Sequence, residues 1–268
     1  MQRITAGIDA GGSLIKMVYQ ENGRMHYKKF PISELDSALS WLRMSAPSLK
    51  VSLTGGKASV IQKKYFQDSV IYPEFKATCE GVRFLLSIEN KGLEENYLIV
   101  NIGTGTSWHV VKGDKAERIL GSGIGGGTFT GLGSLLAQGQ DYHQLTDLAI
   151  MGNKSNVDML VKDIYESAET PINGDLTAAN FAKGKKLYHT EADRLASLSN
   201  MIAETIVLLT SQAAALHQVK NAVIIGSAIV DNPSLKSGLD FYMDMMGLST
   251  VFLEKGEYCG AIGASLSV

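Results

Sequence analysis

Two stretches of the chain repeat one arrangement. "RITAGIDAGGSLIKMVY" near the front and "NYLIVNIGTGTSWHVV" from Asn96 onward each read as an apolar strand that delivers one polar residue into a tight turn. The polar residue is Asp9 in the first and Asn101 in the second; glycines and hydroxyls follow, then a returning strand. A chain of 268 residues opening each half in this way is constrained to two similar bodies with separate cores. The switch between them falls in "KGLEEN", residues 91 to 96, a polar segment too short to be a flexible linker.

The rest of the first half reads as "ENGR", a hairpin turn into the strand "MHYKKF", then an amphipathic helix over "SELDSALSWLRM" capped by Ser33. A strand at "KVSLTGG", a short helix at "ASVIQKKYF", a strand at "SVIYPEF" ending near Pro73 and a helix over "KATCEGVRFLLSIEN" complete it. In the second half, "AERILGSGIGGGTFTGLGSLLAQG" reads as a glycine-dense loop that opens a helix, and "YHQLTDLAIMG" as helix. "TPINGDLTAANFAK" reads as a loop and a helix start with Asp175 or Thr177 as cap. The longest helix covers "EADRLASLSNMIAETIVLLTSQAAALHQV"; its apolar residues spread over much of its surface. "NAVIIGSA" is a strand into another small-residue turn, "PSLKSGLDFYMDMMG" a helix, "STVFLE" a strand and "GAIGASLSV" a final helix.

Turns of this composition suit a phosphate. Its several charged oxygens need several donors at once, and backbone N–H groups supply them where glycine lets the chain approach without a Cβ. The hydroxyls of Ser13, Thr104 and Thr106 add donors, Lys16 adds a positive charge, and an aspartate at a strand end, Asp9, can position a magnesium ion. No G-x-x-x-x-G-K-[ST] is present, and "GSGIGG" lacks both the preceding βαβ strand and the acidic ribose partner that a dinucleotide site requires. Composition narrows the rest. A net charge of −2 gives no general pull toward nucleic acid or an anionic membrane. No apolar run approaches the roughly 18 residues of a membrane span, and the N-terminus lacks a signal-peptide pattern. Cys79 and Cys259 stand apart from any Cys/His cluster, which argues against structural zinc and for buried thiols in a reducing, cytoplasmic setting. His109 and His143 have no metal-spaced partner and read as structural.

In order along the chain, "GIDAGGSLIK", "SLTGG", "EF" with its following helix, "NIGTGTS", "GGGTFTGLG", "DYHQLTDLA", "PINGDLTAANF" and "GAIGA" resemble the type II pantothenate kinases in their short bacterial form, members of the actin/hexokinase/Hsp70 superfamily. The similarity runs from about Gly7 to Gly263. It implies a two-domain actin-like ATPase (ribonuclease H-like) α/β fold, with residues 1–92 and 93–268 as its subdomains, a nucleotide cleft between them and dimerisation helices in the second. It implies ATP-dependent phosphorylation of pantothenate with Mg2+, by a homodimer.

Residue by residue, the resemblance assigns Asp9, Ala10, Gly11, Gly12, Ser13 and Lys16 to the first phosphate loop and Gly103, Thr104 and Gly105 to the second. Gly125, Gly126, Gly127, Thr128 and Phe129 match the nucleotide-contacting loop, with Tyr142 and Ser227 near the nucleoside. Glu74 matches the catalytic carboxylate and Arg118 the substrate-holding arginine; Thr104 and Tyr242 also match positions near the substrate, and Asp9 the magnesium position. From the residues alone, Glu74 reads as a solvent-facing or helix-capping glutamate, while Arg118 could instead be a surface partner of Glu117 and Tyr142 half-buried core. Ser13 stands where many members carry threonine, and Lys76 follows Glu74 where relatives have smaller or acidic residues. The same loops would also serve a kinase for N-acetylglucosamine or another sugar, or a nucleotide sensor without catalysis.

Overall fold

The computed structural model describes residues 5–21, 23–45, 49–93, 95–165, 169–185 and 188–267. Asn22 of the expected "ENGR" turn and Glu94 of the switch segment lie outside the described residues.

The first half runs β1 (Thr5–Ala10), β2 (Leu14–Glu21), β3 (Arg24–Pro31), α1 (Leu35–Ser45), β4 (Lys50–Thr54), α2 (Ala58–Tyr65), β5 (Val70–Ile71) and α3 (Glu74–Ile88). The second runs β6 (Asn96–Ile102), β7 (Thr106–Lys112), β8 (Lys115–Ser122), α4 (Gly126–Leu136), α5 (Tyr142–Met151), β9 (Met159–Leu160), α6 (Val161–Ile164), β10 (Thr177–Ala179), α7 (Glu191–His217), β11 (Asn221–Ile225), α8 (Pro233–Met245), β12 (Ser249–Phe252) and α9 (Cys259–Leu266). The two large sheets have one topology: β3-β2-β1-β4-β5 in the first and β8-β7-β6-β11-β12 in the second. In each, an antiparallel meander is extended by two parallel strands, β4 and β5 beside β1, and β11 and β12 beside β6. The repeat read in the sequence is therefore a repeat of sheets.

Alternation along the central strands sorts side chains into three layers. Leu98, Val100 and Ile102 of β6 face an outer core with Leu195, Leu198, Ile202 and Ile206 of α7 and Leu235 and Leu239 of α8. Ile99 of the same strand faces a middle core made with Val82 and Leu85 of α3 and Ala261 and Ile262 of α9. Ile8, Ile15 and Met17 of the first sheet face Leu39 and Leu42 of α1 and Ile61 of α2. The C-terminal helix α9 thus returns to the first half, where it packs on β1, β4 and α3. Both cysteines lie in the middle core.

Four local expectations are corrected. Ser33 sits inside a 3-10 turn over Ile32–Glu34, and α1 begins only at Leu35. The strand at "SVIYPEF" shrinks to Val70–Ile71, and α3 starts at Glu74 directly after Pro73, whose fixed φ suits a helix entry. "AERILG" is strand β8, paired along β7, rather than loop. "PINGDLTAANF" holds the three-residue strand β10, paired with β9, and no helix. By contrast, α7 has the expected extent: the Thr190 hydroxyl accepts from Asp193 N while the Asp193 carboxylate accepts from Thr190 N, closing its first turn.

Candidate active site

The two hairpin tips meet. Gly11 N donates to Leu14 O at 3.1 Å and closes the first turn, and Gly103 N donates to Gly105 O at 2.8 Å and closes the second. Across the gap between the sheets the Ser13 and Thr104 hydroxyls lie 2.9 Å apart in one hydrogen bond. Around them opens a cleft of about 670 Å³, within the usual span for a small-molecule site. It brings together Asp9, Gly11, Gly12, Ser13 and Lys16 from the first half with Gly103, Thr104, Gly105, Arg118 and Ser227 from the second, and Glu74 stands on its rim.

Asp9, the penultimate residue of β1, lies directly opposite Lys16 of β2 in the antiparallel register. Its carboxyl is walled by backbone: a Cβ on Gly55 would lie 2.6 Å from one of its oxygens and a Cβ on Gly260 2.5 Å from the other. Burial raises the Asp9 pKa, opposed by the positive charge of Lys16. Glu74 occupies the first position of α3 rather than a strand end. Burial, then the negative charge of Asp9, raises its pKa, while Arg118 and Lys16 pull it down. Two carboxylates and two cations therefore share one cavity. The cation beside Glu74 in sequence does not join them: Lys76 turns to Glu80 at 3.8 Å and lies 5.3 Å over the Tyr72 ring.

Arg118 lies on β8 with its guanidinium 5.1 Å over the ring of Phe75, the residue after Glu74. Gly121 makes room for it, because any Cβ there would collide with the guanidinium. The residue read as a possible partner of Glu117 thus faces the cleft.

Other expected residues form the scaffold behind the tips. Gly126 N and Gly127 N donate to Gly103 O and Thr104 O, each at 2.8 Å, so the start of α4 is spent holding the second loop. A Cβ at Gly125, Gly126 or Gly127 would run into that loop within about 3 Å, which is why three glycines stand together. Thr128 donates to Gly123 O at 2.9 Å, and Phe129 is 0% exposed, stacked edge-on against Tyr142. Tyr142 donates to Ala228 O at 3.1 Å and so braces the turn carrying Ser227. That turn passes through Gly226 at φ +110, where a side chain would be strained. Ala10 is buried and accepts from Lys57 N.

Tyr242 lies elsewhere. It is 2% exposed, donates to Asn200 Oδ1 at 2.8 Å, accepts from Lys154 Nζ at 3.1 Å, and lines a second cavity of about 620 Å³. The cleft also holds Asn101 and Thr106, both marked in the sequence, and it gains Ser107, Ser122 and Gly123, which the sequence reading did not single out. For Ser107 the signal was present: it pairs across β6 and β7 with Asn101, the polar residue that the repeat had already marked.

The family model described as Fumble matches residues 20–267. The chain is 40% identical over 268 residues to a protein of Oceanobacillus iheyensis named type II pantothenate kinase, and the match covers 100% of both chains. Among solved structures, component A of the (R)-2-hydroxyglutaryl-CoA dehydratase of Acidaminococcus fermentans superposes with a TM-score of 0.67 at 15% identity, over 100% of this chain and 98% of that one. A ROK family glucokinase of Streptomyces griseus, in complex with glucose and AMPPNP, superposes with a TM-score of 0.59 at 12% identity over 99% of both. At such identities the structural likenesses speak for the fold.

Proposed function

The chain belongs to the Fumble family and to the type II pantothenate kinases, and on that premise we propose that its cleft transfers the γ-phosphoryl group of ATP to the primary hydroxyl of pantothenate. The product is 4'-phosphopantothenate, and the reaction is the first step of coenzyme A biosynthesis. The observation that carries this reading for this chain is the Ser13–Thr104 contact, which joins two donor-rich loops in a cavity also lined by Glu74 and Arg118.

Phosphoryl transfer asks for alignment and charge neutralisation more than for covalent chemistry. The Gly11–Ser13 and Gly103–Gly105 turns offer backbone and hydroxyl donors from both sides of a triphosphate, with Lys16 adding charge. Glu74 takes the proton of the acceptor hydroxyl as the new bond to phosphorus forms. Arg118 holds the pantothenate carboxylate in a fork that lysine cannot reproduce. Asp9 is a fitting magnesium partner: burial disfavours its charge, so a hard cation would complete it. Magnesium, when bound, neutralises charge on the phosphate oxygens. The bodies closing on the nucleotide are residues 1–92 and 93–268, with α9 of the second anchored on the first.

Incubating the protein with Mg-ATP and, separately, pantothenate, N-acetylglucosamine and glucose, while following ADP, tests the reading. Turnover with pantothenate supports it; a faster reaction with either sugar, or nucleotide binding without turnover on any acceptor, overturns it. Arg118→Ala is expected to raise KM for pantothenate about tenfold to a hundredfold, the value of a charge-assisted hydrogen bond, with the KM for ATP little changed. An unaltered pantothenate KM removes Arg118 from the carboxylate role.

The working form we read as a cytoplasmic homodimer. Exposed Ile150 and Phe241 line the second cavity, an apolar face that a second copy would cover. On this reading Tyr242 reaches the far end of the substrate through that contact. Light scattering at micromolar concentration is expected to return twice the chain mass; a single-chain mass contradicts the dimer.

A further inference from the structure

His109 is a buried titratable group beside the candidate site that the proposed chemistry leaves unused. It lies on β7, paired with Arg118 of β8 where the register shifts at a bulge. It is 1% exposed. Its Nε2 is 3.2 Å from the hydroxyl of Ser107, which lines the cleft, and its ring lies 5.4 Å from that of Phe75, the ring beneath the Arg118 guanidinium. Its Nδ1 is buried and has no hydrogen-bond partner among the described residues.

We propose that His109 is a positioning residue for the acceptor end of the cleft: it donates from Nε2–H to Ser107 Oγ, which turns the Ser107 proton outward as a second donor beside Arg118, and it backs the Phe75 ring on which the guanidinium rests. The inference rests on the kinase reading above, because it assigns Ser107 and Arg118 to one anionic acceptor group.

The tautomer follows from the unpartnered nitrogen. A buried N–H without an acceptor is among the rarest defects in folded proteins, while a bare ring nitrogen is the milder one. Nδ1 therefore carries no proton, Nε2 carries it, and Ser107 Oγ must accept. A serine oxygen that already accepts keeps its own O–H free to donate. The ring also stays neutral, since burial and then the charge of Arg118 lower its pKa to about 4. A neutral ring puts no second positive charge beside Arg118 and lets Phe75 pack between the two.

Two measurements test the proposal. In the wild-type protein at pH 7, 15N chemical shifts of His109 are expected to report the Nε2–H tautomer; the Nδ1–H tautomer or an imidazolium overturns it. Kinetically, His109→Leu is expected to raise KM for pantothenate about tenfold while kcat and the KM for ATP stay within twofold. His109→Gln, whose amide can still donate to Ser107, is expected to recover most of that loss, and adding Ser107→Ala to His109→Leu is expected to cost little more. Equal losses in the leucine and glutamine variants, or additive losses in the double variant, overturn the proposal even if the leucine protein is partly unfolded, because the glutamine and serine comparisons remain. Should wild-type protein fail to phosphorylate pantothenate, the functional reading falls while the tautomer still judges His109. Should Arg118→Ala raise KM and His109→Leu leave it unmoved, only the role of His109 falls.

Discussion

Glu74→Gln is expected to lower kcat with pantothenate by two to four orders of magnitude, the usual contribution of a positioned general base, while nucleotide affinity changes little. Glutamine keeps the size of the side chain and its hydrogen bonding but cannot take a proton. The effect is confined to the chemical step because Glu74 enters the cleft from the start of α3, whereas the two turns that meet at Ser13 and Thr104 belong to the hairpins β1–β2 and β6–β7. The pH profile carries the same assignment. Burial and the nearby Asp9 raise the Glu74 pKa above its ordinary value of 4.5. A base works only when deprotonated, so kcat/KM must fall as pH drops through that raised value. The acid limb is therefore expected above pH 4.5, and to disappear in Glu74→Gln. A loss of less than tenfold, or an acid limb that survives in the variant, would shift the base role to Asp9, the other carboxylate of the cavity.

Gly263→Ala is expected to lower stability by about 3 kcal/mol, roughly 6–12 °C in Tm for a chain of this size, although it adds only one methyl group. Gly263 of α9 lies against the backbone of α3, where a Cβ would overlap the Ala77 carbonyl. The same closeness recurs at Gly81 of α3 against the Cys259 carbonyl and at Gly7 of β1 against the Ala261 carbonyl. Backbone cannot yield as a flexible side chain can, so the helix must move away from its neighbours. Those neighbours carry the candidate site: α3 presents Glu74 and β1 carries Asp9 next to its last residue. Thermal unfolding with and without ATP, alongside kcat, checks the expectation, which is a fall in both stability and rate. A Tm within 2 °C of the parent would mean that α9 is not held against α3 as tightly as its glycines imply.

Much of the site was legible because it is built locally. Asp9, Ser13, Lys16 and Thr104 sit on strands and turns whose apolar runs and glycines are visible within a window of about ten residues, and the second window repeats the first. Arg118 and Glu74 were nameable only by likeness to a family, because nothing beside them in sequence shows what they face. Arg118 turns to the cleft because "AERILG" finds an open edge on β7 and becomes a strand, and a segment rich in charge and glycine does not announce that partner. The resemblance matched Gly125–Gly127 to a loop that contacts the nucleotide; that Gly126 and Gly127 give their N–H groups to the second loop depends on which carbonyls stand opposite, which the sequence does not show. Tyr242 parted from Arg118 for a similar reason, since α8 packs it into the second cavity beside α7.

The sequence by itself determined the two strand–turn–strand units, the long helix and the chemistry of the turn residues, all consequences of side-chain periodicity and of glycine where backbone must come close. Only the tertiary structure decided that Ser13 meets Thr104 across 91 residues of chain and that the last helix crosses back to support the first strand. Those contacts are set by the pairing of two separate sheets on shared helices, and no local preference of the chain encodes the distance between them.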